Sequence, residues 1–368
     1  MEDQLGFLGN AARDLYFADA LISHGTGHVG IEYDGSSYVL RPRGRVAPGL
    51  KVTVDDLPAG LVAAAPRADY GGGALNSLRA FTLLAPAQRA QYLDTAAEDP
   101  HLKRTIRSEA VQVDFLGLRQ MPVNAVLWWE GDRVIFKSPL EAAGELDDHQ
   151  KSRLARLASC QAVLVNSVKD AAVLEFLIRL GAGQRPRLHV VATESLPAVF
   201  VRERVLPAAS AVICNWQEVH HLIGRPGVQT VSAAQGALIW LREHAPQASL
   251  FLTMGKEGVL VAAPGDNAVA HVRLGPTQTE QLQRQLRGYP WRVCGCGDAF
   301  ASGAFTRLET GRTAVLGGDS GGVVYSAALA GCAAAVQWLG WEPRLREQDF
   351  HVERFPLSRE SVFRAVYQ

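Results

Sequence analysis

The chain has 368 residues, 48% of them apolar, and its 37 basic and 37 acidic side chains leave a formal net charge of zero. That length permits one large α/β domain or two ordinary ones, and the balanced charge supplies no global field toward nucleic acid or a membrane surface. The opening Met1-Glu2-Asp3-Gln4 is the reverse of a signal peptide's basic start, no apolar run approaches the roughly 18 residues of a membrane span, and five cysteines without a secretion signal predict free thiols in a cytoplasmic protein.

In chain order, the first strong local signal is His28 to Leu40, which reads strand, Asp-Gly turn, strand. The basic run Arg41-Pro42-Arg43-Gly44-Arg45 reads as a solvated turn. Ala125 to Phe136 repeats the hairpin design around Glu130-Gly131-Asp132. Residues 145–158 then read as an amphipathic helix, and Gln161 to Asn166 as a short buried strand. A helix over 171–180 stops at Gly181. Strands follow at 188–192 and 211–214, then a helix over 234–242 and a strand over 249–253. Two long helices close the chain near 298–309 and 323–338, the second rich in Ala and Gly. Alternating strands and helices imply βαβ crossovers and a doubly wound, largely parallel sheet flanked by helices. The two hairpins fall outside that run and are expected to form a small separate β-sheet lid.

The segment Cys294-Gly295-Cys296-Gly297-Asp298-Ala299-Phe300 stands just before an amphipathic helix. Glycines there let backbone N–H groups converge on an anion at the helix N-terminus. Asp298 points into the same space. A carboxylate beside a phosphate cradle is unfavourable unless a base is needed, and phosphoryl transfer to a hydroxyl needs one. On its own the segment reads equally as a Gly-rich turn with an N-capping Asp.

Residues Gly295 to Asp298 resemble the G-A-G-D motif of the ribokinase-like, or PfkB-type, carbohydrate kinases, with Cys296 at the second position. Other matches occur in the expected order. Gly9-Asn10-Ala11-Ala12-Arg13-Asp14 is similar to the opening strand and turn, and Gly71-Gly72-Gly73-Ala74-Leu75-Asn76 to the di-glycine motif. Asn215-Trp216-Gln217-Glu218 is similar to the N-x-x-E element, and Thr253-Met254-Gly255-Lys256-Glu257-Gly258 to the T-x-G-x-x-G turn. The resemblance implies ATP and Mg²⁺ as cofactors and a hydroxyl of a sugar, sugar phosphate, nucleoside or polyol as acceptor. It implies Asp298 as base beside an anion hole of Gly295, Cys296 and Gly297. Asp14, Gly72, Gly73 and Asn76 would meet the substrate, and Thr253, Gly255 and Gly258 the nucleotide. Asn215 and Glu218 would stand near Mg²⁺, largely through water. The implied division is a core of residues 1–14, 63–120 and 140–368, with a β lid of 15–62 and 121–139 over the substrate cleft. An exposed lid sheet offers a surface on which a homodimer would form.

Some features depart or mislead. The family usually carries an acidic run before the glycines that helps to bind a monovalent cation, whereas this chain has Arg292-Val293-Cys294, which predicts little activation by K⁺. That departure also motivates an alternative, a non-catalytic sugar or nucleotide sensor on a kinase scaffold. Gly25-Thr26-Gly27-His28-Val29-Gly30 matches the dinucleotide fingerprint, but a hairpin follows rather than a helix, so it reads as a lid loop. Trp128 and Trp129 are adjacent in a strand and must face opposite sides. Cys294 and Cys296 lack the second pair a zinc site needs. Ser167 and Ser302 lack a nucleophile-elbow setting, and His220-His221 reads as a helix surface. Arg13, Arg79 and Arg119 are the candidates for a phosphorylated acceptor.

Overall fold

The computed structural model describes residues 4–17, 19–106, 108–130, 132–139, 144–182, 185–192, 196–224, 230–286, 295–314, 320–340, 345 and 347–356. Its strands form one ten-stranded sheet and two smaller sheets of five and three strands. The large sheet runs in the order 350–356, 268–274, 259–262, 249–253, 211–215, 187–191, 162–166, 5–9, 90–96, 111–119. From Ser249–Thr253 to Val111–Arg119 every neighbouring pair is parallel, while the remaining edge is an antiparallel meander.

Alternation along these strands feeds two cores. Leu8, Val163, Val165, Val212, Leu250 and Leu252 point to one face, where helices Ala171–Gly181 and Val231–His244 cover them. Phe7, Leu164, Ile213 and Phe251 point to the other, under helices Gly73–Leu84, Cys296–Ala314 and Ser320–Trp338. A strand buried on both faces has no polar side, which is why these segments read as continuous apolar runs. Phe7 joins its helices to the sheet through Phe81 and Phe305, at ring-centroid distances of 5.1 and 5.5 Å. The predicted elements from 145 onward are present, with ends moved by a few residues. The sequence reading did not separate the strands 90–96, 111–119, 259–262, 268–274 and 350–356, nor the helix Pro276–Leu286. Among the described residues no helix is long and apolar enough to cross a membrane. Cys160, Cys214, Cys296 and Cys332 are free thiols. The cation-site departure Arg292-Val293-Cys294 lies outside the described residues.

Both predicted hairpins stand outside the large sheet, but in different small sheets. His28–Tyr33 and Ser36–Leu40 turn at Asp34-Gly35 and are joined by Leu21–Gly25, which turns into His28–Tyr33 at Thr26-Gly27; of the Gly25–Gly30 glycines, Gly25 and Gly30 lie in strands and Gly27 in that turn. Val123–Trp129 and Asp132–Lys137 lie in the five-stranded sheet, flanked by Ala12–Phe17, Arg67–Gly71 and Lys51–Thr53. The expected boundaries need correcting here. Asp14 pairs with Asp69 in an antiparallel ladder, so residues 12–14 and 67–71 belong to the small sheet rather than the core. Leu15, Phe17, Val29, Ile31, Leu40, Leu127, Val134 and Phe136 from both small sheets share one apolar cluster. This cluster excludes every residue of the large sheet, so the small sheets have a core of their own.

Candidate active site

In chain order the large sheet starts at Leu5–Gly9, extends outward through 90–96 and 111–119, and returns to the other side of the first strand with Ala162–Asn166. The direction of winding reverses between Leu5–Gly9 and Ala162–Asn166, and in such sheets ligands bind beyond the carboxyl ends of the strands at that point. Gly9 pairs with Asn166 there. A Cβ on Gly9 would lie 1.8 Å from the Asn166 carbonyl oxygen, so the two strand ends close only because residue 9 is glycine.

Asp298 stands in the first turn of helix Cys296–Ala314, over this junction. Asn166 Nδ2 donates to its Oδ1 at 2.9 Å, and Asn76 Nδ2 donates to its Oδ2 at 3.0 Å. Ser77 Oγ donates to the Asp298 carbonyl oxygen at 3.0 Å and accepts from Asn166 Nδ2 at 3.1 Å. Two stretches of chain distant from Asp298 thus fix its carboxylate by both oxygens. Burial raises its pKa above the usual carboxylate value, against the opposing pull of Lys51, the two amide donors and Arg133. Ala299 N donates to Gly295 O at 2.9 Å, leaving the N–H groups of 296–298 at the helix mouth. Gly295 has φ +85°, and a side chain there would meet the Trp338 indole at 3.0–3.1 Å. Gly297 opens onto empty space.

Asp14 faces this group from the five-stranded sheet. Asn124 Nδ2 donates to Asp14 Oδ1 at 2.7 Å. Burial pushes the Asp14 carboxyl up to about 6, with Asn124 and Lys51 pulling down and Asp69 and Asp298 pushing further up. Gly72 and Gly73 make close approaches that leave no room for a side chain. A Cβ on Gly72, at φ +100°, would lie 2.3 Å from Asn10 O, and one on Gly73 would lie 2.2 Å from Asn166 Oδ1. These glycines let helix Gly73–Leu84 approach the junction so that Asn76 reaches Asp298.

The remaining predicted residues lie farther along the carboxyl edge. Asn215 and Glu218 form a reciprocal capping box: Glu218 N donates to Asn215 Oδ1 at 2.9 Å, and Asn215 N donates to Glu218 Oε2 at 2.8 Å. Both are oxygen donors beside the sheet edge. Among the described residues no group of three His, Cys, Asp or Glu side chains converges to grip a metal directly. Thr253 ends its strand, with Oγ1 donating to Cys214 O at 3.4 Å. Gly255 and Gly258 shape the turn into Val259–Ala262, and a Cβ on Gly258 would lie 2.2 Å from Val272 O. A cavity of about 460 Å³ opens beside this turn, lined by Lys256, Glu257, Arg273, Leu274, Thr279 and His351.

Sequence reasoning missed three residues of the site. Asn166 and Asn124 orient the two carboxylates. Asn10 is 3% exposed at the junction, and neither atom of its amide has a hydrogen-bond partner among the described residues. The only signal for Asn166 and Asn10 is a polar residue ending an apolar strand. Of the two tryptophans, Trp129 packs on the small-sheet core and against His24, whereas Trp128 shares the face of Asn124.

No family model matches the sequence, and neither does any curated protein. Solved structures do match. Ribokinase from Giardia lamblia superposes with a TM-score of 0.63 at 15% identity, over 91% of this chain and 92% of that one. An Anopheles gambiae adenosine kinase, in complex with a di-adenosine tetraphosphate, gives 0.57 at 16% identity, over 94% and 100%. Phosphofructokinase-2 from Escherichia coli gives 0.56 at 16% identity, over 92% and 95%.

Proposed function

The fold is the ribokinase-like fold, and on it we propose an ATP-dependent kinase that transfers the γ-phosphoryl group to a hydroxyl of a sugar, related polyol or nucleoside. The carrying observation is the Asp298 carboxylate, held by Asn76 and Asn166 at the sheet's switch point and at the mouth of a helix. Asp298 accepts the hydroxyl proton as the substrate oxygen attacks the γ-phosphorus. The bond from phosphorus to the β,γ-bridging oxygen breaks, and its electron pair leaves with ADP. A carboxyl raised by burial is a stronger base than a free one, which suits this step. The first N–H groups of helix Cys296–Ala314 balance the charge spread over the phosphoryl oxygens. Asp14 accepts from substrate hydroxyls, and the unpartnered amide of Asn10 offers a further donor and acceptor.

The nucleotide would lie along the carboxyl edge, with Thr253, Gly255 and Gly258 beside the cavity lined by Lys256 and His351. Asn215 and Glu218 spend one oxygen each on the helix cap. A Mg²⁺ that keeps its water shell needs no direct bond from either, so the pair fits an ion held through water and the nucleotide's phosphates. Bound there, it would neutralise phosphate charge. The sensor alternative has no observation in its favour, because a sensor has no use for a carboxylate clamped at a phosphoryl-transfer position.

The test is ADP release from MgATP against pentoses, hexoses, their phosphates, nucleosides and inositols. Turnover with one acceptor class is expected, and Asp298→Asn should remove all but about 10⁻³ of it while the fold persists. An Asp298→Asn protein that keeps the wild-type kcat refutes the assignment.

A further inference from the structure

We infer that Asp94 is a positioning residue for Asp14, acting through the two-residue joint Asn10-Ala11 by which the chain leaves the large sheet for the five-stranded one. The task given to Asp14 rests on the kinase reading, whereas the joint stands on geometry alone.

Strand Leu5–Gly9 ends in the large sheet and Ala12–Phe17 begins in the small one, so two residues span the change. Asp94 pairs with Gly9 in the parallel ladder, and its Oδ2 accepts from Ala11 N at 2.9 Å. On the other side the chain comes back from the small sheet. Ala12 pairs with Gly71, and a Cβ on Gly72 would lie 2.3 Å from Asn10 O and 2.9 Å from Ala11 Cα. A Cβ on Gly71 would lie 2.0 Å from Asp14 Oδ2, so that carboxylate rests directly on the returning backbone. The joint is therefore gripped between the returning glycines and one carboxylate. Both acidic groups of the site are set from it. Asp14 lies three residues beyond Ala11, and Asn76, which donates to Asp298, lies three residues beyond Gly73.

A carboxylate is a costly anchor in this place. Asp94 is 0% exposed in a strand whose seven residues are all buried, and burial raises its pKa against the pull of its donors. Three donors converge on it: besides Ala11 N, Tyr92 Oη donates to Oδ2 at 2.6 Å and Ala96 N to Oδ1 at 2.8 Å. An Asn has one oxygen for these two sides, and its NH2 would stand against a backbone N–H on the other. Tyr92 and Ala96 belong to the same strand as Asp94, so those two bonds are local. The bond to Ala11 reaches 83 residues back along the chain and fixes where the small sheet begins. Any movement of that origin is carried along Ala12–Phe17 to Asp14, and a misplacement of about 1 Å can cost up to about a hundredfold in rate.

The test uses the full chain as Asp94→Asn, with Tyr92→Phe as the control that removes a local donor and leaves the Ala11 bond. Asp94→Ser, which sets no N–H against a donor, is carried alongside in case the amide prevents folding. The first readout is the Asp14 carboxyl titration by carbon-13 NMR, assigned by its disappearance in Asp14→Asn. Its midpoint of about 6 should fall toward 3.8 in the Asp94 variants, as the strand shifts and the carboxyl takes up water, and should hold in Tyr92→Phe. The second readout is turnover with MgATP and the acceptor that the panel identifies. The Asp94 variants should lose about tenfold in kcat/KM for the acceptor with the KM for ATP unchanged, and should lose nothing further in an Asp14→Asn background. A folded Asp94 variant in which Asp14 titrates as in wild type overturns the inference. So does a loss that persists undiminished without Asp14, or an equal shift in Tyr92→Phe, which would mark general loosening of the strand. If no acceptor turns over, the kinase reading fails, and the titration still decides whether Asp94 positions Asp14.

Discussion

Replacing Asp14 by Asn should make the protein more stable and less able to bind substrate. The carboxyl sits at about 6 instead of 3.8. A rise of that size corresponds to at most roughly 3 kcal/mol of disfavoured charge. Because the folded form holds the proton more tightly, this stabilisation is complete below pH 3.8 and lost as pH rises through 6. Wild type at pH 7 therefore lacks it, and the neutral amide of the variant escapes the penalty while its side-chain oxygen still accepts from Asn124. Allowing about 1 kcal/mol for the weaker neutral hydrogen bond, the variant should gain about 1–2 kcal/mol at pH 7. Guanidinium unfolding at pH 7 and at pH 4 checks this, with the gain nearly gone at pH 4. In the same variant kcat/KM should fall tenfold to a hundredfold, since a charge-assisted bond to the substrate is lost. A variant that is less stable at pH 7, or whose advantage is the same at both pH values, would refute the reasoning.

Asn166→Ala removes one donor to Asp298, so the base pKa should rise and the acid limb of the kcat/KM profile should move to higher pH; an unmoved limb would show that Asn166 does not orient the base. Glu309 is buried with Arg187, His189 and Gln161, and His189 and Arg187 overcome the cost of burial to hold it down to about 2. Glu309→Gln should cost about 3 kcal/mol at pH 7. The difference from wild type should shrink as pH falls from 4.5 through 2, read by chemical unfolding.

The parts of this molecule legible in its sequence are those that local chemistry dictates. Buried strands such as Ser249–Thr253 announce themselves by apolar continuity, and the hairpin at Asp34-Gly35 by its turn residues. Asp298 is visible because glycines precede it and a helix follows. Strand Ala90–Ala96 is not, because Gln91, Asp94 and Thr95 break its apolar run. The Asp94 carboxylate is satisfied only once the chain has folded around it, accepting from Ala11 N at 2.9 Å and from Tyr92 Oη at 2.6 Å. Asn166 and Asn124 are invisible for the same reason. Each is an ordinary polar residue at a strand end or edge until the winding of the sheet brings it to Asp298 or Asp14. The glycines at 72 and 73 carry two readings at once, since the same absence of a side chain serves ligand approach and helix packing alike.

The parallel pairing of Ala12–Phe17 with Val123–Trp129 joins residues 110 apart, as in the bond from Asn124 to Asp14. Between those two strands the chain lays down two strands of the large sheet, 90–96 and 111–119. The small sheet therefore cannot be completed during synthesis until that flank of the large one has emerged. Nor can it be cut out as a single insertion. A chimera that grafts this sheet onto another scaffold must carry two segments and the sheet flank between them, so the face that carries Asp14 and Asn124 is inherited together with one edge of the core.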